Sequence, residues 1–322
     1  MIILHLKYRI QTGIHAGALK MGFVDKTGYY IMPQVFMGAM INRMTRIFYS
    51  CPEPRDFSAV GDFVYQHIKF TPFYVNDGTE TYCPDDLTPG GKRKWGLNEA
   101  TQIGSDEFEH RFIRSYTGTS VAYDVRSARK HTLHETEYIA SRDRNGKALF
   151  LEGYAILFPG EHQVSNGSTQ RTFVLSKDLS CSVTQGEDSG HLFNKLGASL
   201  QVGGDRNYGM GLISHEPSEP ATDSLFGVVH IETDTDDYLR VTIESGKAIC
   251  LPIKHDPQCQ ALTGMRGTLS PFIQREYSYS GGKGFGQHLT NRLFWEPGAY
   301  FTTEQNKIKM KIDDRGFWEI VS

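Results

Sequence analysis

The residues best placed to do chemistry lie in one run, Leu196-Gly-Ala-Ser-Leu-Gln-Val-Gly-Gly-Asp-Arg-Asn-Tyr-Gly-Met-Gly-Leu212. Gly203, Gly204, Gly209 and Gly211 enclose Asp205, Arg206 and Tyr208. Glycine reaches backbone angles that other residues avoid and lets a second backbone come close. Successive free N–H groups in such a loop form a concavity that binds anions, and an arginine fork adds donors matched to phosphate. The chemistry implied is a cradle for a phosphate chain; the competing reading is a plain glycine-rich hairpin. Neither common nucleotide fingerprint is present. A P-loop ends in Gly-Lys-Ser/Thr, and a dinucleotide fold sets its glycines between a strand and a helix. Here Gly211-Leu212-Ile213-Ser214-His215 follows, without helical periodicity.

A second concentration of cations lies mid-chain. Arg111, Arg114, Arg126, Arg129 and Lys130 alternate with Phe112, Tyr116 and Tyr123. Residues 92–147 hold eleven basic and eight acidic side chains, whereas 216–256 hold three basic and nine acidic. That asymmetry suits a one-sided groove for a polyanion, because phosphate neutralisation dominates nucleic-acid affinity. Charged hairpin edges that discourage aggregation would give the same composition. Lys92-Arg93-Lys94 beside Trp95 could stack on and neutralise a nucleotide, or form a solvated loop. Gly264–Gly267, holding Arg266, and Ser280–Gly286, holding Lys283, make a further glycine-rich basic region expected to order on a partner.

Cleavage of RNA without metal needs a base for the 2′-hydroxyl and an acid for the leaving oxygen. His15 near Lys20, and His131 and His134 near Lys130 and Tyr138, are of the right types, but none sits in a specific motif. There is no Gly-x-Ser-x-Gly elbow and no His-Glu-x-x-His pair. The aspartates of 233–237 lack the spacing of a calcium loop and read as a charged turn. The expectation is a binding protein with no catalytic residue, no metal and no cofactor.

These groups need a scaffold. Ile2, Leu4, Leu6, Tyr8 and Ile10 alternate with polar residues, which predicts a half-buried strand ending in the turn Gly13–Gly17. From Pro33 the period changes: Phe36, Met37, Met40, Ile41, Met44, Ile47 and Phe48 predict an amphipathic helix. Arg43 and Arg46 lie off that stripe, solvated unless a phosphate path runs beside them. Asp62–Val75 predicts another strand, and 83–106 a long surface loop. Further strands are expected at 149–158, 172–175, 224–232, 238–244, 293–301 and 308–321, with a short helix at 191–200. The fold class is α+β: two ferredoxin-like (RRM-like) halves, 1–160 and 161–322, strand-rich, with long inserted loops and a glycine-rich loop at 202–211.

Bulk properties bound the answer. The chain has 322 residues and a formal net charge of −3, which argues against indiscriminate coating of nucleic acid. Cys51, Cys83, Cys181, Cys250 and Cys259 are scattered and odd in number, unlike a disulfide framework. No apolar run is long enough to cross a membrane as a helix, so a soluble protein of the cytoplasm is expected.

The spacing Gly-Gly-Asp-Arg-x-x-Gly-x-Gly resembles the glycine-rich loop of the RAMP superfamily, the RNA-binding proteins of CRISPR effector complexes. The first strand with Gly13–Gly17 is similar to that family's opening strand and turn, and Tyr29–Pro33 to its entrance into the first helix. The segment from Ala122-Tyr123-Asp124 to Glu137, the strand 149–158, and Pro297–Phe301 resemble parts of the (Cas5-type) subunits that cap the guide 5′ end in type III-D and type VII complexes. The resemblance implies a non-catalytic subunit holding guide RNA, with (Cas7-type) backbone subunits as neighbours and target RNA reached indirectly. It implies guide contacts at Asp124, Arg126 and Arg129, besides the 203–211 loop; by residue type and position His15, Lys20, Arg43, Arg46, Lys130, Arg266 and Lys283 are further RNA-binding candidates. A guide-processing endoribonuclease and a polymerising backbone subunit are the alternatives within the superfamily.

Overall fold

The alternation that starts at the N-terminus produces β1 (Ile2–Ile10), whose Leu4, Leu6, Tyr8 and Ile10 are buried on one face. The computed structural model describes the chain apart from residues 87–91, 123, 125, 130, 167–168, 185–188, 233–238, 260–263, 279–283, 303–306 and 322. Tyr123, Lys130, Lys283 and the 233–237 turn therefore lie outside the described residues. A short hairpin follows, β2 (Gly17–Met21) and β3 (Val24–Thr27), and then α1 (Pro33–Phe48). Pro33 sits in the first helical turn, where its missing N–H leaves no bond unmade. Phe36, Met37, Met40, Ile41, Met44 and Phe48 form the buried stripe that the periodicity predicts.

The strand expected from Asp62 is in its first part a helix, α2 (Pro54–His67). Glu53 and Asp56 close a capping box, and Ala59, Val60, Phe63, Val64 and His67 recur with helical spacing on the buried side. The β preference of aromatic and β-branched residues reflects packing on a half-buried surface, so a capped helix with a buried face overrides it. Extended backbone begins at Ile68–Phe70 and continues as β4 (Phe73–Asn76).

The remaining elements that bear on the site are α3 (Ser105–Phe112), β5 (Ile113–Gly118), β6 (His134–Ile139), β7 (Phe150–Leu157), β8 (Ser199–Gln201) and β9 (Leu212–His215). The main sheet runs β8-β9-β1-β7-β4, with Tyr30–Ile31 on its edge. Its pairs are antiparallel, with Leu6 opposite Gly153 and Arg9 opposite Ser214. The spatial order β9-β1-β7-β4 is that of a ferredoxin-like βαββαβ unit. Its first crossover is the α1–α2 pair, and its second is shortened to a π-helical turn, Leu192–Leu196. A four-stranded meander between Gly160 and His191 packs Phe173 on Phe63, with ring centres 5.3 Å apart.

Beyond residue 220 an eight-stranded sheet runs from Ser224–Leu225 to Leu269–Ser278. It covers the face of the main sheet opposite the helices: Ile3, Tyr74, Tyr154 and Ile156 share a core with Val229, Val241, Ile243, Met310 and Trp318. The protein is a strand-rich α+β fold with few helices, stacked as helices, main sheet and second sheet. Because β8 and β9 complete the sheet that β1 begins, the glycine-rich loop is held by the N-terminal sheet even though it comes after residue 160.

Candidate functional site

The loop 202–211 joins β8 to β9, and its shape is set by glycines at two places. Gly203 has φ +81° and Gly211 φ +84°; a Cβ would stand 2.4 Å from the His15 carbonyl oxygen at the first and 2.0 Å from that of Val202 at the second. No side chain fits at either position. The Gly204 amide donates to the His15 carbonyl and the Gly211 amide to that of Gly13, both at 2.8 Å. Thus the two glycine turns, nearly 200 residues apart in sequence, are bonded to each other. Asp205 (φ 52°) and Gly209 (φ 83°) bracket a single 3₁₀ turn, Arg206–Tyr208. The Tyr116 hydroxyl of β5 donates to the Asp205 carboxylate at 3.2 Å, and Gln201 Nε2 donates to the carbonyls of Arg206 and Met210, each at 2.9 Å.

This arrangement differs from the amide cradle the sequence suggests. The N–H groups of Gly204, Tyr208, Gly209, Met210 and Gly211 all donate within the protein, so they are not available to a phosphate. The loop instead presents side chains: Arg206, Asn207 and Tyr208 are exposed, Tyr208 to 80%.

Opposite the loop stands the outer side of α1, and a groove of about 840 Å³ lies between them. Gln34, Gly38, Asn42, Arg43 and Arg46 line it from the helix, and Leu200, Gln201, Gly203, Arg206 and Asn207 from β8 and the loop. Among the described residues no carboxylate lines it, and α1 contains no Asp or Glu. Arg46 Nε donates to Asn42 Oδ1 at 2.9 Å, and its guanidinium lies 5.9 Å from the centre of the Phe57 ring. Among the described residues none of the three arginines is ion-paired to a carboxylate. Three unneutralised cations in one concavity focus positive potential, and guanidinium forks match phosphate oxygens.

The groove therefore unites Arg43, Arg46, Gly203 and Arg206. The other residues singled out in the sequence stand elsewhere. His15 lies beneath the loop with Nδ1 2.7 Å from the Glu137 carbonyl oxygen. Lys20 is exposed on β2, its Nζ 3.3 Å from Asp25. Asp124, Arg126 and Arg129 are exposed on or beside a two-stranded hairpin, Val121–Ala122 with Ser127–Ala128. Arg266 pairs with Tyr300 in a separate two-stranded ribbon. Gln34, Gly38, Asn42 and Gln201 were not anticipated; the one signal for the first three was that the polar side of α1 carries no acid.

Two expectations for cationic clusters are corrected. Trp95 is 1% exposed and packs on Phe108 at 4.4 Å, so it cannot stack on a nucleotide. Arg93 is bound to Asp86 at 2.7 Å and to Glu296 at 3.3 Å. Likewise Arg111 is paired with Asp77 at 2.8 Å. The acids that neutralise Arg93 and Arg111 come partly from distant segments, which local charge counting cannot see.

Behind the groove, His215 on β9 lies against Phe193 and Tyr8. Burial, with a smaller contribution from His191, lowers its pKa from the usual 6.5 to about 4. On β7, burial pushes the Glu152 carboxyl up, but hydrogen bonds from His5 and Thr81 outweigh it and hold the group below its ordinary value.

No protein-family model matches the sequence, and no curated protein matches it. Solved structures do. A chain of the type III-B Cmr-beta bound to cognate target RNA and AMPPnP aligns over 94% of this chain and 86% of its own, with TM-score 0.51 and 10% identity. A chain of Cmr-beta bound to cognate target RNA covers 92% and 86%, with TM-score 0.51 and 9% identity. The likeness is one of fold. A chain of the Csm3–Csm4 subcomplex of the type III-A CRISPR-Cas interference complex aligns more loosely, with TM-score 0.41 over 96% and 95% at 10% identity.

Proposed function

We propose that this chain is a non-catalytic, RNA-binding subunit of a CRISPR effector ribonucleoprotein, gripping the 5′ handle of the guide RNA and touching neighbouring backbone subunits. The observation that carries the reading is the acid-free groove in which Arg43 and Arg46 of α1 face Arg206 of the glycine-rich loop. Phosphates of a single strand occupy the arginine-lined wall, and exposed Tyr208 offers a face on which an unpaired base stacks. The fold shared with chains of type III complexes and the loop motif support the choice of ribonucleoprotein. The mid-chain position of the loop, with about 110 residues after it, supports a capping subunit over a guide-processing nuclease.

The test is single-stranded RNA binding by the full chain as a function of salt. Replacing Arg43, Arg46 and Arg206 together with Gln should weaken binding and flatten the plot of log K against log salt by about 2, at roughly 0.7 per lost phosphate contact. An unchanged slope refutes the assignment of the groove. A capping subunit also co-purifies with a short RNA of uniform 5′ end and is present once per complex; several copies would make it a backbone subunit. An RNA product formed without magnesium and lost in His15→Ala would make it a nuclease.

A further inference from the structure

We propose that the groove seats one nucleobase as well as a phosphate, with the base lying on the bare backbone of α1 at Gly38. The inference deepens the reading above and rests on it. At about 840 Å³ the groove falls within the range of roughly 300–1,000 Å³ typical of sites that hold whole small molecules, far more than a phosphate needs. Its cations cluster toward one end of the helix wall. At 1.5 Å per residue, Arg43 and Arg46 stand about 8 and 12 Å along the axis from Gly38. That spacing leaves room for a nucleoside beside its own phosphate.

Gly38 is the informative residue. It occupies the middle of a sixteen-residue helix, where glycine is the poorest choice after proline. Nothing inside the protein requires it: its φ is not left-handed, and a Cβ there would meet no atom within 4 Å. It nevertheless lines the groove, so its effect is to leave helix backbone uncovered where a flat ring can approach.

The flanking amides are set to meet a base edge. Gln201 Nε2 is held by two loop carbonyls, which fixes the amide and leaves Oε1 as an acceptor. On the opposite wall Asn42 Oδ1 accepts from Arg46, which leaves Nδ2 as a donor. A donor on one wall and an acceptor on the other is the pattern by which single-stranded RNA bases are read on their edges.

The experiment compares the four nucleoside 5′-monophosphates with ribose 5-phosphate, titrated into the full chain by calorimetry. At least one nucleotide should bind about tenfold or more tightly than ribose 5-phosphate, in line with the worth of one base contact. Gly38→Phe, whose Cβ meets no atom within 4 Å, puts a ring where the base would lie and should abolish that advantage, with an unchanged Tm showing that the fold is kept; Gly38→Ala should keep it. Equal affinity for ribose 5-phosphate and all four nucleotides overturns the base seat. Survival of the advantage in Gly38→Phe overturns its location. Either result leaves the arginine track to be judged separately by the salt slope.

Discussion

Two regions of this protein are alike in composition and opposite in how the fold surrounds them. Residues 92–95 place three cations beside a tryptophan, and the groove gathers Arg43, Arg46 and Arg206, with Arg206 two residues before exposed Tyr208. In the first, Asp86 and Glu296 neutralise Arg93, and Trp95 fills the core beside Phe108 and Tyr29. In the second, no carboxylate among the described residues reaches the arginines, and the tyrosine stands in solvent. A cation beside an aromatic is open to a polyanion only where the fold withholds its acids and its core from them. The difference lies in partners, not in composition.

The comparison can be broken most sharply at its two aromatic residues. Trp95→Ala should destabilise the protein by about 3–5 kcal/mol in a denaturant titration, the usual cost of emptying a buried aromatic site. Tyr208→Ala should leave stability within about 0.5 kcal/mol while reducing affinity for single-stranded RNA. If Trp95→Ala stays stable but loses RNA affinity, the contrast fails. Next in size is Gly211→Ala, which forces a side chain into a left-handed position 2.0 Å from the Val202 carbonyl oxygen. It should cost on the order of 1–3 kcal/mol and weaken RNA binding through displacement of Arg206, whereas Gly209→Ala, with nothing within 4 Å, should cost less. Equal costs would mean that the close approach is not what shapes the loop.

The smallest effect sharpens the picture of what supports the groove. His215 is half-buried on β9, and burial lowers its pKa from 6.5 to about 4. A group whose folded pKa is depressed contributes stability that is whole above pH 6.5 and is lost as the pH falls toward 4. Tm should therefore decline with acid across that window, and the decline should be shallower in His215→Phe. A parallel decline in the two proteins would remove His215 from the account.

Much of the frame was legible because it depends on local patterns. Period-two alternation specified β1, and the three–four spacing after Pro33 specified α1 to its ends. The glycines of 203–211 marked a tight turn, since few other residues tolerate such angles. The stretch from Asp62 was not legible as helix, because the capping box of Glu53 and Asp56, six to nine residues upstream, commits the chain to α2. Nor were the small strands of 83–106, which fold over a buried tryptophan. The occupied amides of the loop were not legible either: those of Gly204 and Gly211 donate to His15 and Gly13 in a different part of the chain, and those of Tyr208, Gly209 and Met210 to Asp205 and Arg206 within the turn.

By itself, then, the sequence determined the opening strand, the first helix, the left-handed loop and the surplus of cations over acids on α1. The tertiary structure alone decided which cations stay unpaired, which aromatics are buried, and that Arg206 faces Arg43 and Arg46 across a single groove. The reason is physical: backbone preference and periodicity act over a few residues. Neutralisation of a charge and coverage of a ring depend on atoms that the fold brings together from separate segments, as far apart as Arg93 and Glu296.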